Sequence, residues 1–106
     1  MVKISIFYPN QPDGWFDMAY YLERHIPMTL ERVGKHPGYR RVMVEEGMGG
    51  EQPGSTATYA AICSFEFDSK ESFLAAFEPH WPVIEADVPN YTNLEPILEY
   101  YQIVSA

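Results

Sequence analysis

His25, Asp87 and a set of aromatic side chains are the residues of this 106-residue chain whose types suit proton transfer on a small molecule. An imidazole titrates near pH 6.5, so His25 can take or give a proton at neutral pH. Asp87 is the carboxylate expected to orient it, fixing the tautomer and raising its basicity. Tyr21, Tyr59, Trp81 and Tyr91 are expected to wall a pocket, with phenol hydroxyls as donors to a developing oxyanion. Each assignment has a plainer alternative: a structural histidine at a helix bend, an aspartate capping the turn at Pro89-Asn90, aromatics that only pack.

Other chemistries find little support. His25, His36 and His80 lack the spacing of a metal-ligand motif, so no metal site is expected. Gly47, Gly49 and Gly50 precede a strand instead of opening a helix, which argues against a phosphate loop. No serine stands in a Gly-x-Ser-x-Gly elbow. No cofactor is expected. Fifteen acidic against seven basic residues give a formal net charge of −8, and no block of Lys or Arg suits a nucleic acid or an anionic membrane. Cys63 stands alone in an apolar run, as a buried small hydrophobe of a reducing compartment would. The start at Met1 lacks a signal-peptide pattern and no run is long enough to span a membrane, so a cytoplasmic protein is expected.

The element that must position His25 is a helix. Asp17 is its N-cap, Phe16 can staple onto Tyr21, and the run extends to about Val33 before Gly34. At about 100° per residue, Met18, Leu22, Ile26 and Val33 form the apolar stripe, Tyr20 falls on the opposite side, and Tyr21 and His25 lie at the stripe's edge. Pro27 has no N–H to give Glu23, so a kink is expected just past the histidine.

Around that helix, alternation predicts strands over Val2–Tyr8, Tyr39–Met48, Thr58–Phe67 and Leu94–Val104. Thr58–Phe67 is apolar on both faces, as a central strand would be. The glycines between residues 47 and 54 predict a long mobile loop. Asp68 with Glu71 has capping-box spacing for a short helix carrying Phe73, Ala76 and Phe77 and ended by Pro79. A further helical turn is expected from Pro82 to Asp87.

The order β-α-β-β-α-β, in one domain spanning residues 1–106, predicts an α+β ferredoxin-like fold: an antiparallel four-stranded sheet with two helices on one face. Apolar side chains on both faces of three strands predict that a second copy covers the open face, making a dimeric α/β barrel.

Three separated motifs carry a resemblance: Tyr8-Pro9-Asn10; Phe16-Asp17 with Tyr20-Tyr21 and His25-Ile26-Pro27; and Asp87-Val88-Pro89-Asn90-Tyr91-Thr92-Asn93 with Pro96. Together they resemble the EthD family of the dimeric α/β barrel superfamily, named for a protein of ethyl tert-butyl ether degradation. The resemblance runs from residue 2 to about residue 103. It implies the ferredoxin-like fold, a homodimer, and a histidine in a Tyr-Tyr-x3-His-x-Pro setting, and it implies no single reaction. The expectation is a small cofactor-free enzyme that acts on an apolar, oxygenated small molecule by histidine-assisted proton transfer, as an isomerase, dehydratase or monooxygenase-like catalyst. The alternative is a non-catalytic dimeric protein that binds a small molecule or accompanies ether or xenobiotic degradation.

Overall fold

Period-2 alternation decides the sheet. In the computed structural model, which describes residues 1–106, the strands are β1 (Val2–Pro9), β2 (Tyr39–Glu46), β3 (Tyr59–Phe67) and β4 (Ile97–Gln102). They form one antiparallel sheet in the order β2-β3-β1-β4. This is the ferredoxin-like arrangement, with β1 and β3 at the centre. Ile4 pairs with Phe65 on one side and Tyr100 on the other, and Tyr8 pairs with Ala61. These residues face the helices. β2 and β4 are shorter than the alternation predicts.

The helices are α1 (Met18–Tyr20), continued by a π-helical turn over Tyr21–His25 and α2 (Ile26–Val33), then α3 (Lys70–Phe77) and α4 (Trp81–Ala86). Asp17 caps α1, its side chain accepting from the Tyr20 N–H, and the Phe16 and Tyr21 rings meet at 5.0 Å as a staple. α3 begins one residue later than the Asp68–Glu71 spacing suggests. Ser69 is its cap, accepting from the Ser72 N–H, while the Asp68 N–H is occupied by the Gly38 carbonyl. α4 covers most of the turn expected from Pro82, entered through a 3-10 turn at Glu78–His80.

The bend expected at Pro27 takes the form of a widened turn. The Ile26 N–H donates five residues back, to the Tyr21 carbonyl. A proline ring collides with the carbonyl four residues before it, and inserting one residue into the turn relieves that collision. The phase of the helix changes with it. In a regular helix an i, i+4 row drifts by about 40° per step; a wider turn reduces the drift, so Tyr21, His25, Thr29 and Val33 all remain on the buried side. Leu22, placed in the stripe by regular spacing, is instead 49% exposed.

Between sheet and helices lies one core. Phe65, Phe67, Phe73 and Phe77 fill its α3 side, with Phe73 and Phe77 rings 4.5 Å apart. Cys63 is buried, and burial pushes its thiol up to about 12. The other face of the sheet has a polar centre, Ser5 and Ser64 bonded at 3.1 Å, flanked by Arg41 paired with Glu66 and by exposed Ile97 and Tyr101. No helix is long and apolar enough to cross a membrane.

Candidate functional site

The late motif reaches the first helix because two loops are stitched together. The Asp17 N–H donates to the Tyr91 carbonyl, the Trp15 N–H to Asn93 Oδ1, and the Thr92 hydroxyl to the Trp15 carbonyl at 2.6 Å. Gly14 permits the approach: a Cβ there would sit 2.6 Å from Leu94 Cδ2. The chain then leaves Asp87, at the end of α4, beside the π turn.

Asp87 is the hub. Its Oδ2 lies 2.8 Å from His25 Nδ1, and its Oδ1 accepts from the Tyr20 hydroxyl at 2.7 Å and from Asn90 Nδ2 at 3.0 Å. Burial alone would raise this carboxyl; the donors from Tyr20, Asn90 and His25 outweigh it and hold the pKa below the ordinary aspartate value. An ionised carboxylate only accepts, so Nδ1 carries the imidazole proton and Nε2 keeps its lone pair. His25 is 4% exposed. Its burial disfavours the cation more than the hydrogen bond and charge of Asp87 favour it, leaving its pKa below 6.5. A neutral imidazole with an oriented lone pair is a base.

The π turn explains how two residues five apart share one carboxylate. Tyr20 and His25 would be separated by about 140° on a regular helix. The wide turn brings both to Asp87. Tyr20, placed on the solvent side by regular spacing, is therefore a partner of the site.

His25 lies against an aromatic cluster. Tyr21 stacks on it with rings 15° from parallel at 5.3 Å, and Tyr91 tilts over it at 4.5 Å. The Tyr8 hydroxyl contacts the hydroxyls of Tyr91 at 2.7 Å and Tyr21 at 3.4 Å. Burial pushes Tyr8 up to about 12 and raises Tyr21 and Tyr91 above the ordinary phenol value, so all three phenols remain protonated donors.

A cavity of about 470 Å³ opens beside the cluster, between the helices and the sheet. Tyr21, His25, Trp81 and Tyr91 line it, together with Tyr8 and Thr29. Tyr59 does not. A register shift pairs Pro9 with Tyr59 where regular alternation would give Ala60, and the extra residue turns Tyr59 to the open face, where it packs on Phe7 at 4.9 Å. The charged residues on the cavity wall are Glu85 and Glu95, both exposed. No three His, Cys, Asp or Glu side chains converge to suit a metal ion.

Sequence reasoning missed Tyr20, Asn90, Tyr8 and Thr29. Asn90 had a readable signal, standing three residues after Asp87 within the motif already singled out. Thr29 had none beyond its i, i+4 relation to His25.

Residues 16–95 match the family model of the EthD domain. An EthD-like protein from Ralstonia eutropha JMP134 is 36% identical, with 98% of this chain and 92% of that one covered and a TM-score of 0.91. An ethyl tert-butyl ether degradation (EthD) family protein from Bacillus halodurans C-125 is 23% identical over 98% of this chain and 99% of that one, with a TM-score of 0.70. SnoaB, a cofactor-independent oxygenase from Streptomyces nogalater, shares the fold at 10% identity and a TM-score of 0.65, covering 99% of this chain and 93% of that one. No curated protein matches the sequence.

Proposed function

The chain belongs to the EthD family, and from that premise we propose that it is a cofactor-free enzyme in which His25 moves a proton on an uncharged, mostly apolar, oxygenated small molecule. The observation that carries this reading is the buried His25 imidazole, held at Nδ1 by Asp87 on the wall of a cavity of about 470 Å³, with Nε2 unpartnered by protein. Nε2 takes a proton from a hydroxyl, or from carbon next to a carbonyl. Asp87 stabilises the imidazolium that results, and the proton returns to a different atom of the substrate or to a leaving hydroxide. Isomerisation and dehydration therefore balance with these residues alone; addition of oxygen to the ionised substrate would require dioxygen as co-reactant.

Charge sets the substrate class. The carboxylates of Glu85 and Glu95 stand at the wall and no Lys or Arg does, which disfavours anionic ligands. The remaining lining is dominated by hydrocarbon and aromatic surface, as expected of a small-molecule site.

The second copy expected on the open sheet face belongs to the same proposal. Phe7, Tyr59, Ile97 and Tyr101 lie on that face, and Ile97 and Tyr101 are exposed in the single chain. A monomeric mass at micromolar concentration would contradict it.

Turnover and binding of wild type and His25→Ala, measured separately on a panel of hydroxylated aromatics and enolisable lactones, test the enzyme reading. Loss of turnover with affinity retained supports it. Undiminished turnover would remove His25 from the mechanism, and binding without turnover in the wild type would favour a ligand-binding protein.

A further inference from the structure

Thr29 Oγ1 is the one buried side-chain nitrogen or oxygen of the molecule that has no hydrogen-bond partner. Thr29 is 2% exposed and lines the His25 cavity. A threonine inside a helix commonly returns its hydroxyl to the carbonyl four residues back; Thr29, in α2, makes no such bond. A buried hydroxyl left unpaired is destabilising, whereas valine would fill nearly the same volume without that cost. A group kept at a cost to the fold, in a cavity and one helical turn from the candidate base, calls for a partner that enters from outside.

We propose that Thr29 is the substrate-positioning residue of this site: its hydroxyl holds an oxygen of the ligand next to His25 Nε2, and so selects uncharged molecules carrying a hydroxyl or carbonyl over hydrocarbons of the same shape. On a helix, residues four apart have Cβ atoms roughly 5–6 Å from each other. One ligand hydroxyl lying between them can donate to Nε2 and accept from Oγ1. The two contacts have different roles, since Nε2 receives the proton while Oγ1 orients the oxygen that loses it. Glu85 and Glu95 cannot replace Thr29 as donors, being carboxylates at the exposed part of the wall. The proposal rests on the cavity being a small-molecule site.

The test uses 1-naphthol and naphthalene, which share a ring system and differ in one hydroxyl. Their affinities are measured by calorimetry or fluorescence for the full-length wild type, Thr29→Val and Thr29→Ser, alongside the thermal midpoint of each. In the wild type 1-naphthol binds more tightly than naphthalene. Thr29→Val reduces that preference by roughly two- to tenfold, the value of one neutral hydrogen bond, leaves naphthalene binding unchanged and raises the thermal midpoint; Thr29→Ser keeps the preference. An unchanged preference in Thr29→Val would overturn the role of Thr29 and leave the cavity reading intact. Weaker binding of both probes together with a lower midpoint would make Thr29 a packing residue. No binding of either probe to the wild type would overturn the cavity reading itself.

Discussion

Two aromatic clusters lie on the same face of the same sheet, and they differ mainly in their polar atoms. On the α3 side, Phe65, Phe67, Phe73 and Phe77 meet at ring distances of 4.5 to 6.3 Å. On the α4 side, Tyr8, Tyr21, Tyr91 and His25 meet at 4.5 to 5.9 Å. Burial and ring geometry are alike, so both contribute the packing expected of aromatic pairs. Only the second carries hydroxyls, an imidazole and a carboxylate, each of which costs desolvation energy that a phenylalanine avoids. The same packing thus holds the domain together at one end and a polar, candidate-site constellation at the other. The difference also shows in backbone geometry: α3 is regular, while the tyrosine end contains the π turn that aims two side chains at Asp87.

Substitutions should separate the two clusters. The largest effect expected is on turnover from His25→Gln, a loss of about 10²- to 10⁴-fold, the usual worth of a positioned acid-base group, with the folded structure retained. Phe73→Ala, away from the cavity, should do the reverse: a stability loss of about 3–5 kcal/mol by chemical denaturation, with the His25 titration unchanged. A change in that titration would mean that the clusters are not separable.

Asp87→Asn comes next. It removes the ionised acceptor from Tyr20, Asn90 and His25, and a stability loss of about 1–3 kcal/mol is expected for donors left poorly paired. A loss no greater than that of a surface carboxylate would deny Asp87 its central place.

The pH dependence follows from linkage. His25 has a lowered pKa in the folded protein, so between that value and about 6.5 the unfolded chain binds the extra proton. Its contribution to stability is complete above pH 6.5 and is lost as pH falls through the folded pKa. Wild type should therefore lose more stability than His25→Gln between pH 7 and pH 5. Equal losses would show that the imidazole is not desolvated. The smallest effect belongs to Tyr91→Phe, which gives up one hydroxyl contact to Tyr8 and should change stability by about 1 kcal/mol or less. A loss as large as that from Phe73→Ala would erase the distinction between the clusters.

Much of this molecule was legible in residue order. Alternation marks Val2–Tyr8 as a strand, and the two-faced apolar run of Thr58–Phe67 marks β3 as a central one, where the sheet order has it. Asp17 and Phe16 announce the start of the first helix, and the pairing of His25 with Asp87 followed from chemical type. What was not legible depends on departures from ideal geometry. Tyr20 and Leu22 were misplaced because a constant 100° step ignores the π turn that Pro27 favours. Tyr59 was misplaced because a bulge reverses the alternation at the start of β3. Thr29 carries no pattern beyond standing four residues after His25; the absence of a partner for its buried hydroxyl, beside a cavity, is what distinguishes it.

The central claim is that His25 is a neutral base oriented by Asp87, and imidazole NMR tests it most directly. A titration of ¹⁵N-labelled protein should show the Nδ1–H tautomer and a pKa below 6.5 in the wild type, falling further in Asp87→Asn once the carboxylate that favours the cation is gone. An Nε2–H tautomer, or a pKa of 6.5 or above that does not respond to Asp87→Asn, would contradict it.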